Sequence, residues 1–317
     1  MLISIIVPMY NEEDNLQDTF LKIKNEMSNY SWEWELIFVN DGSTDNTWEK
    51  VKELSKIEKK IKVAGYTQNQ GRGKAIRTGF EAALGDIIVT IDSDLSYDAN
   101  HIPRMIKELE KNELINSVLV SAYMPGGKVK KVPWFRLLSS KLGNKILKYS
   151  FANRIYTSTC IVRAYRKYVI DSLVLESSGK EIHLEILTKM LALGYKIKEI
   201  PGILTNRKKG KSKSNLFTII QSHLKFFAFE KPFILFGMIG IILMLFSIVT
   251  GGMLIYRRLL GNIDFGIFSK IITPNVVIIL MFVGLSLVGF GFLGVQNNIL
   301  RNELYKIQSK LKVNKKR

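Results

Sequence analysis

The chain has 317 residues, with 46 Lys and Arg against 28 Asp and Glu, a formal net charge of +18. That length holds one sizeable domain plus an appendage, and that charge suits nucleic acid, an anionic membrane surface or phosphorylated ligands. The single cysteine, Cys160, excludes an intramolecular disulfide and agrees with a reducing compartment.

Residues 1–8 are apolar and strand-like, without the basic start and cleavage site of a secretory leader, so none is expected. Residues 3–7 read as a buried strand and 15–27 as a helix. A strand at 35–39 and an amphipathic helix at 44–58 follow. Residues 61–66 and 74–84 repeat the pair, and 86–91 is another apolar strand. Such alternation predicts an α/β domain with a mainly parallel sheet and helices on both faces, whose ligands bind beyond the carboxyl ends of the strands. Later elements are a helix at 102–110, a strand at 117–122, helices at 134–149 and 181–193, and a strand at 195–204.

Residues 232–256 and 271–298 contain no charged residue. Each run exceeds the ~20 residues needed to span a bilayer core, which predicts two transmembrane helices. An even number of spans puts the N-terminal domain and the C-terminal tail on one side. Lys306, Lys310, Lys312, Lys315, Lys316 and Arg317 lie there, with the cluster 207–213, whereas the basic residues of the linker 257–270 are Arg257, Arg258 and Lys270. Positive-inside asymmetry places domain and tail in the cytoplasm. The expected organisation is a cytoplasmic domain at 1–213, an amphipathic juxtamembrane helix at 214–231, two membrane helices within 232–300 and a basic tail at 301–317. Residues 134–149 and 216–229 mix apolar and basic side chains. They suit the membrane interface or packing against the domain, the latter more readily for 134–149 than for 216–229. Gly284 to Gly294 permits helix association and hence a homo-oligomer. No nucleic-acid-binding signature is present.

Acidic residues follow three predicted strands: Glu12, Asp41, and Asp92 with Asp94. Isolated carboxylates at strand ends are turn formers. Two on one tight turn, Asp92-Ser93-Asp94, repel unless a cation joins them, and hard oxygen ligands suit Mg²⁺ or Mn²⁺ together with a substrate diphosphate. Gly71-Arg72-Gly73-Lys74 fails the P-loop pattern at Gln68 and Ala75. It reads as a glycine-rich helix start, either turning its amides and Lys74 towards phosphate or packing closely on the sheet. His101, His183 and His223 lack ligand spacing and are expected to pack.

Four motifs stand in the order found in family 2 glycosyltransferases of the GT-A fold: Pro8-Met9-Tyr10-Asn11-Glu12, Val39-Asn40-Asp41-Gly42-Ser43-Thr44-Asp45, Asn69-Gln70-Gly71-Arg72-Gly73-Lys74-Ala75 and Asp92-Ser93-Asp94-Leu95. Tyr123-Met124-Pro125-Gly126-Gly127, Trp134-Phe135-Arg136, Arg163-Ala164-Tyr165-Arg166, Glu181-Ile182-His183-Leu184-Glu185 and Gly210-Lys211-Ser212-Lys213 resemble the dolichyl-phosphate mannose synthase and polyprenyl-phosphate glycosyltransferase branch. The resemblance implies inverting transfer of a sugar from a UDP- or GDP-linked donor to a polyprenyl phosphate (undecaprenyl or dolichyl). Pro8, Tyr10, Glu12 and Asp41 would hold base and ribose. Asp92 and Asp94 would bind metal and diphosphate, with Ser93 and Lys74 also at the substrate. Arg136, Arg207 and Lys213 would meet phosphates. Departures stand at Ala122, where the branch has Arg, at Ser96 for Gln, at Thr157 for Asp, and at Cys160-Ile161-Val162 for Ser-Gly-Phe. A phosphate acceptor needs no base, whereas a lipid or glycan hydroxyl would, and Glu185 is then the candidate, its alternative duty being helix capping. A nucleotide-sugar-binding membrane protein without turnover is the remaining reading, suggested by Ala122 and Thr157.

Overall fold

The computed structural model describes residues 1–130, 144, 155–205, 230–260 and 273–316. The chain divides into two compact units, one of Met1–Ser222 with Asn302–Arg317, the other of His223–Arg301.

The first unit is built on a seven-stranded sheet. Its opening elements are β1 (Leu2–Met9), α1 (Leu16–Ser28), β2 (Glu33–Asp41), α2 (Thr47–Ile57), β3 (Ile61–Tyr66), α3 (Arg72–Ala82) and β4 (Ile87–Thr90). Then come α4 (His101–Lys111), β5 (Ser117–Ser121), β6 (Lys128–Lys130), β7 (Arg163–Arg166), α5 (Lys167–Ser172), α6 (Ile182–Ala192), β8 (Ile197–Pro201) and β9 (Ile203–Thr205). The strand order is β3-β2-β1-β4-β7-β5-β8, with β6 and β9 forming a separate pair. Ile3, Ile5, Ile6 and Val7 of β1 and Leu36 to Val39 of β2 are wholly buried. Unbroken apolar runs of this kind belong in parallel strands covered on both faces. Met9 lies opposite Asn40, and Ile6 opposite Thr90. The residues that follow β1, β2 and β4 therefore leave the sheet at one edge.

Three local readings change. The helix expected from residue 44 starts at Thr47, because the Asp45 carboxylate accepts the Thr47 amide at 3.0 Å and its hydroxyl at 2.5 Å. The strand expected over 195–204 is two strands in different sheets, β8 on β5 and β9 on β6. They part at Gly202, where a Cβ would lie 2.1 Å from Val120 Cγ1. Inserted between β4 and β5 is β7, antiparallel to both. Its four residues, bounded by arginines, gave no apolar run to find. The amphipathic segments 134–149 and 216–229 lie outside the described residues, apart from Asn144.

Among the described residues two helices are long and apolar enough to cross a membrane, Phe233–Leu259 and Pro274–Lys315. The first comprises a π-helical turn, Phe233–Gly237, and α7 (Met238–Leu260); the second is α8 (Pro274–Lys316). Within the second unit their backbones approach at glycines: a Cβ on Gly240 would lie 2.5 Å from the Gly284 carbonyl. Small residues serve helix packing where no hydrophobic force separates helix from lipid. Ile242, Phe282 and Leu293 remain exposed. Residues 301–316, expected as a tail, continue α8 without a break, since no Gly or Pro follows Gly294.

Candidate functional site

The edge where β1, β2 and β4 end is built by loops that bind one another. Asn11 sits at φ +56° and its Oδ1 accepts the Thr44 amide at 2.8 Å. Glu12 is buried; its amide donates to Thr47 Oγ1 at 2.9 Å and its Oε2 accepts Asn15 Nδ2 at 2.6 Å. Pro8 lies in β1 opposite Val39, and Tyr10 follows the strand, half-buried. Asp41 Oδ1 accepts three donors: the Tyr66 hydroxyl at 2.7 Å, the Gln70 amide at 2.9 Å and the Gly71 amide at 3.0 Å. Burial, then the hydrogen bond to Asp41, push the Tyr66 phenol up, so it stays a donor. Beside this cluster Asn40, Ser43, Thr44, Trp48 and Tyr66 line an open depression. Trp48 and Tyr66 were not singled out by the sequence, where they read as ordinary members of a helix and a strand.

The acidic turn follows β4. The Leu95 amide closes it on the Asp92 carbonyl at 3.2 Å, with Leu95 at φ +46°, a conformation that costs a branched residue energy. Asp94 Oδ1 accepts the Ser96 amide at 2.9 Å and hydroxyl at 2.7 Å. Asp92 Oδ1 lies 3.4 Å from Arg72 Nη2. Ser93 is buried, and its carbonyl accepts the Thr19 hydroxyl at 2.5 Å. Among the described residues no group of three His, Cys, Asp or Glu gathers for a metal. A cation here would have Asp92 and Asp94 as its protein ligands and take further oxygens from a phosphate, a donor set that fits Mg²⁺ or Mn²⁺. Arg72 beside Asp92 shows that the turn accepts positive charge.

The helix start at Gly71-Arg72-Gly73-Lys74 takes the packed alternative. The amides of Gly73 and Lys74 donate to the Ser178 carbonyl at 2.6 and 3.2 Å, so they are not turned outward to an anion, and the packing partner is a loop rather than the sheet. Lys74 stays half-buried in the first turn of α3. Glu185, on α6, holds that same loop. Its Oε1 accepts the Glu176 amide and its Oε2 the Ser177 amide, both at 2.9 Å, and Lys189 Nζ lies 2.6 Å away. Burial pushes the Glu185 carboxyl up, but the bonds from Lys189 and Ser177 outweigh it and leave it below the usual carboxylate value. Arg136, Arg207 and Lys213 lie outside the described residues.

Behind the acidic turn is a buried polar layer that the sequence did not announce. Arg163 is fully buried, and its guanidinium donates to the carbonyls of Ser158, Cys160 and His183. At the departure Thr157, the hydroxyl pairs with Ser121 Oγ at 2.6 Å, and Glu199 of β8 accepts the Tyr156 and Thr157 amides at 2.7 and 2.9 Å. Burial pushes the Glu199 carboxyl up and the Cys160 thiol up to about 12. His101 and His183 are buried, and burial lowers both, in keeping with packing roles; His223 lies outside the described residues.

Comparison with known proteins gives the family and the fold. The model of glycosyl transferase family 2 matches residues 4–174. A dolichol-phosphate mannosyltransferase of Pyrococcus furiosus is 33% identical over 223 residues, 70% of this chain; the chain spans 61% of that relative's length. Undecaprenyl-phosphate 4-deoxy-4-formamido-L-arabinose transferases of Proteus mirabilis and Aeromonas hydrophila are 26% and 27% identical, over 99% and 92% of this chain and 95% and 87% of theirs. The crystal structure of glucosyl-3-phosphoglycerate synthase from Mycobacterium tuberculosis with Mn²⁺, UDP and glucosyl-3-phosphoglycerate aligns over 72% of this chain and 79% of that one, with a TM-score of 0.54 and 20% identity. That likeness is one of fold, and the fold is GT-A.

Proposed function

Because the chain belongs to glycosyl transferase family 2, we propose that it transfers a sugar, with inversion, from a UDP- or GDP-linked donor to a polyprenyl phosphate at the cytoplasmic face of a membrane. The observation that carries this reading is the Asp92-Ser93-Asp94 turn at the edge where β1, β2 and β4 end, in a chain whose described residues also include two helices apolar enough to span a bilayer. The relatives named for dolichol phosphate and undecaprenyl phosphate support the acceptor class. The excess of basic residues at 301–317 over the linker 257–270 supports the cytoplasmic side.

Asp92 and Asp94 would hold Mg²⁺ or Mn²⁺, which when bound supplies charge neutralisation to the diphosphate leaving group. Pro8, Tyr10, Glu12 and Asp41 would bind base and ribose at the ends of β1 and β2, with Ser93 and Lys74 nearer the diphosphate. Arg136, Arg207 and Lys213 would meet donor or acceptor phosphate. An acceptor phosphate oxygen is already anionic and attacks without a base. The engagement of both Glu185 oxygens favours this acceptor over a hydroxyl, which would need a free carboxylate.

Asp94→Asn separates a metal ligand from a turn former. Asparagine keeps the Oδ1 that accepts from Ser96 and removes the charge. In lipid nanodiscs with Mn²⁺, nucleotide-sugars and polyprenyl phosphate, the variant is expected to lose about 100-fold or more in rate at an unchanged melting temperature. Undiminished transfer would refute the metal assignment. Sugar appearing on neutral lipid alone would move the acceptor to a hydroxyl, and donor binding without any transfer would favour a binding protein.

A further inference from the structure

The segment between α5 and α6 is tied down residue by residue. The Lys312 ammonium donates to the Leu173 carbonyl. Lys189 Nζ donates to the Val174 carbonyl at 2.5 Å, and Arg77 Nη1 to the Leu175 carbonyl at 3.0 Å. Glu185 takes the amides of Glu176 and Ser177. Ser178 ends the series by accepting the amides of Gly73 and Lys74. The contact with α3 is close: a Cβ on Gly73 would lie 2.5 Å from the Ser177 carbonyl oxygen, and one on Gly71 would lie 2.6 Å from that of Ser178. Between those glycines stands Arg72, whose guanidinium faces Asp92.

One end of this strap is held from the far terminus of the chain. The end of α8, from Asn302 onward, belongs to the first unit. Among the described residues Asn302, Tyr305, Ser309 and Lys312 are its half-buried positions, spaced three, four and three apart on one helix face. Lys189 Nζ lies 4.9 Å from the Tyr305 ring centroid, a cation–π contact that adds a second hold on the residue gripping Val174. Lys312, Tyr305 and Lys189 therefore secure the first two residues of the strap, and Ser178 at its other end sets the start of α3.

We propose that the end of α8 is a positioning element for donor binding. Lys312 and Tyr305 hold the strap 173–179, the strap holds the first turn of α3, and that turn places Arg72 beside Asp92, where the guanidinium competes with a bare metal ion but is at hand for the donor diphosphate when nucleotide and metal arrive together. This rests on the reading of Asp92 and Asp94 as the diphosphate-metal turn. Lys312 and Tyr305 touch no substrate; they act through the strap.

The test uses the full chain in nanodiscs with Lys312→Met, which keeps length and apolar stem, and Lys312→Arg, which keeps a donor. Hydrogen exchange of the peptide carrying the Glu176 and Ser177 amides is expected to quicken in Lys312→Met. The dissociation constant for UDP or GDP with Mn²⁺ is expected to rise about threefold to tenfold, within the range for changes acting through an intervening packed segment. Affinity for polyprenyl phosphate stays as it was, and Lys312→Arg restores both. Faster strap exchange with unchanged nucleotide affinity would make the contact merely structural and overturn the proposal, as would unchanged exchange. A parent protein that binds neither nucleotide with Mn²⁺ would take down the donor reading as well, a result distinct from either of these.

Discussion

Arg72→Gln is expected to tighten Mn²⁺ binding to the nucleotide-free protein. A cation arriving at Asp92 must compete with the guanidinium already there, 3.4 Å from Oδ1. At that distance two unit charges in water attract by about 1.2 kcal/mol. The side chains are 36% and 24% exposed, so salt and side-chain entropy reduce the net value to about 0.2–1 kcal/mol. Removing the competitor is therefore worth about 1.4-fold to 5-fold in Mn²⁺ affinity. Electron paramagnetic resonance of free Mn²⁺ during titration of the full chain in nanodiscs reads this directly, without turnover. The gain should shrink as salt rises, because the pair is partly solvated. Lys56→Gln, on the last turn of α2, removes the same charge elsewhere and serves as the control. Equal affinities for parent and Arg72→Gln, or an equal gain from Lys56→Gln, would refute the argument.

Two further outcomes follow from the strap. Glu185→Gln is expected to lose about 2 kcal/mol of charged hydrogen bonding, seen as a melting temperature about 4–8 °C lower. Because the Glu185 carboxyl sits below its usual 4.5, its stabilisation is present above that pH and is lost as pH falls through the folded value. The melting curve of the variant should therefore be flatter on the acid side; a general base would instead cost rate at an unchanged melting temperature. Gly73→Ala forces a Cβ to within 2.5 Å of the Ser177 carbonyl oxygen and 2.7 Å of that of Gly179, so backbone must move. Overpacking of this kind costs about 1–3 kcal/mol, and calorimetry showing no loss would refute the close approach.

The helix start at Gly71-Arg72-Gly73-Lys74 illustrates where sequence reading stopped. Glycine spacing announced a close approach but not by what, since phosphate, sheet and loop all demand the absence of a side chain. Glu185 was equally ambiguous: a carboxylate at the start of a helix has the same sequence signature as base or as anchor. The loop amides that it meets give it an anchor's contacts, which the sequence could not show.

Hydropathy is a local property, so it was enough to locate the buried parallel strands β1, β2 and β4, the two apolar helices and the acidic turn after β4. The antiparallel insertion of β7, the three carbonyls around Arg163 and the Glu199 carboxylate at the Tyr156 and Thr157 amides were legible only in three dimensions. So was the grip of Lys312 on Leu173, across 139 residues of chain. Each depends on a side chain meeting a distant backbone group, and a hydrogen bond of that kind leaves no periodic trace in the amino-acid order.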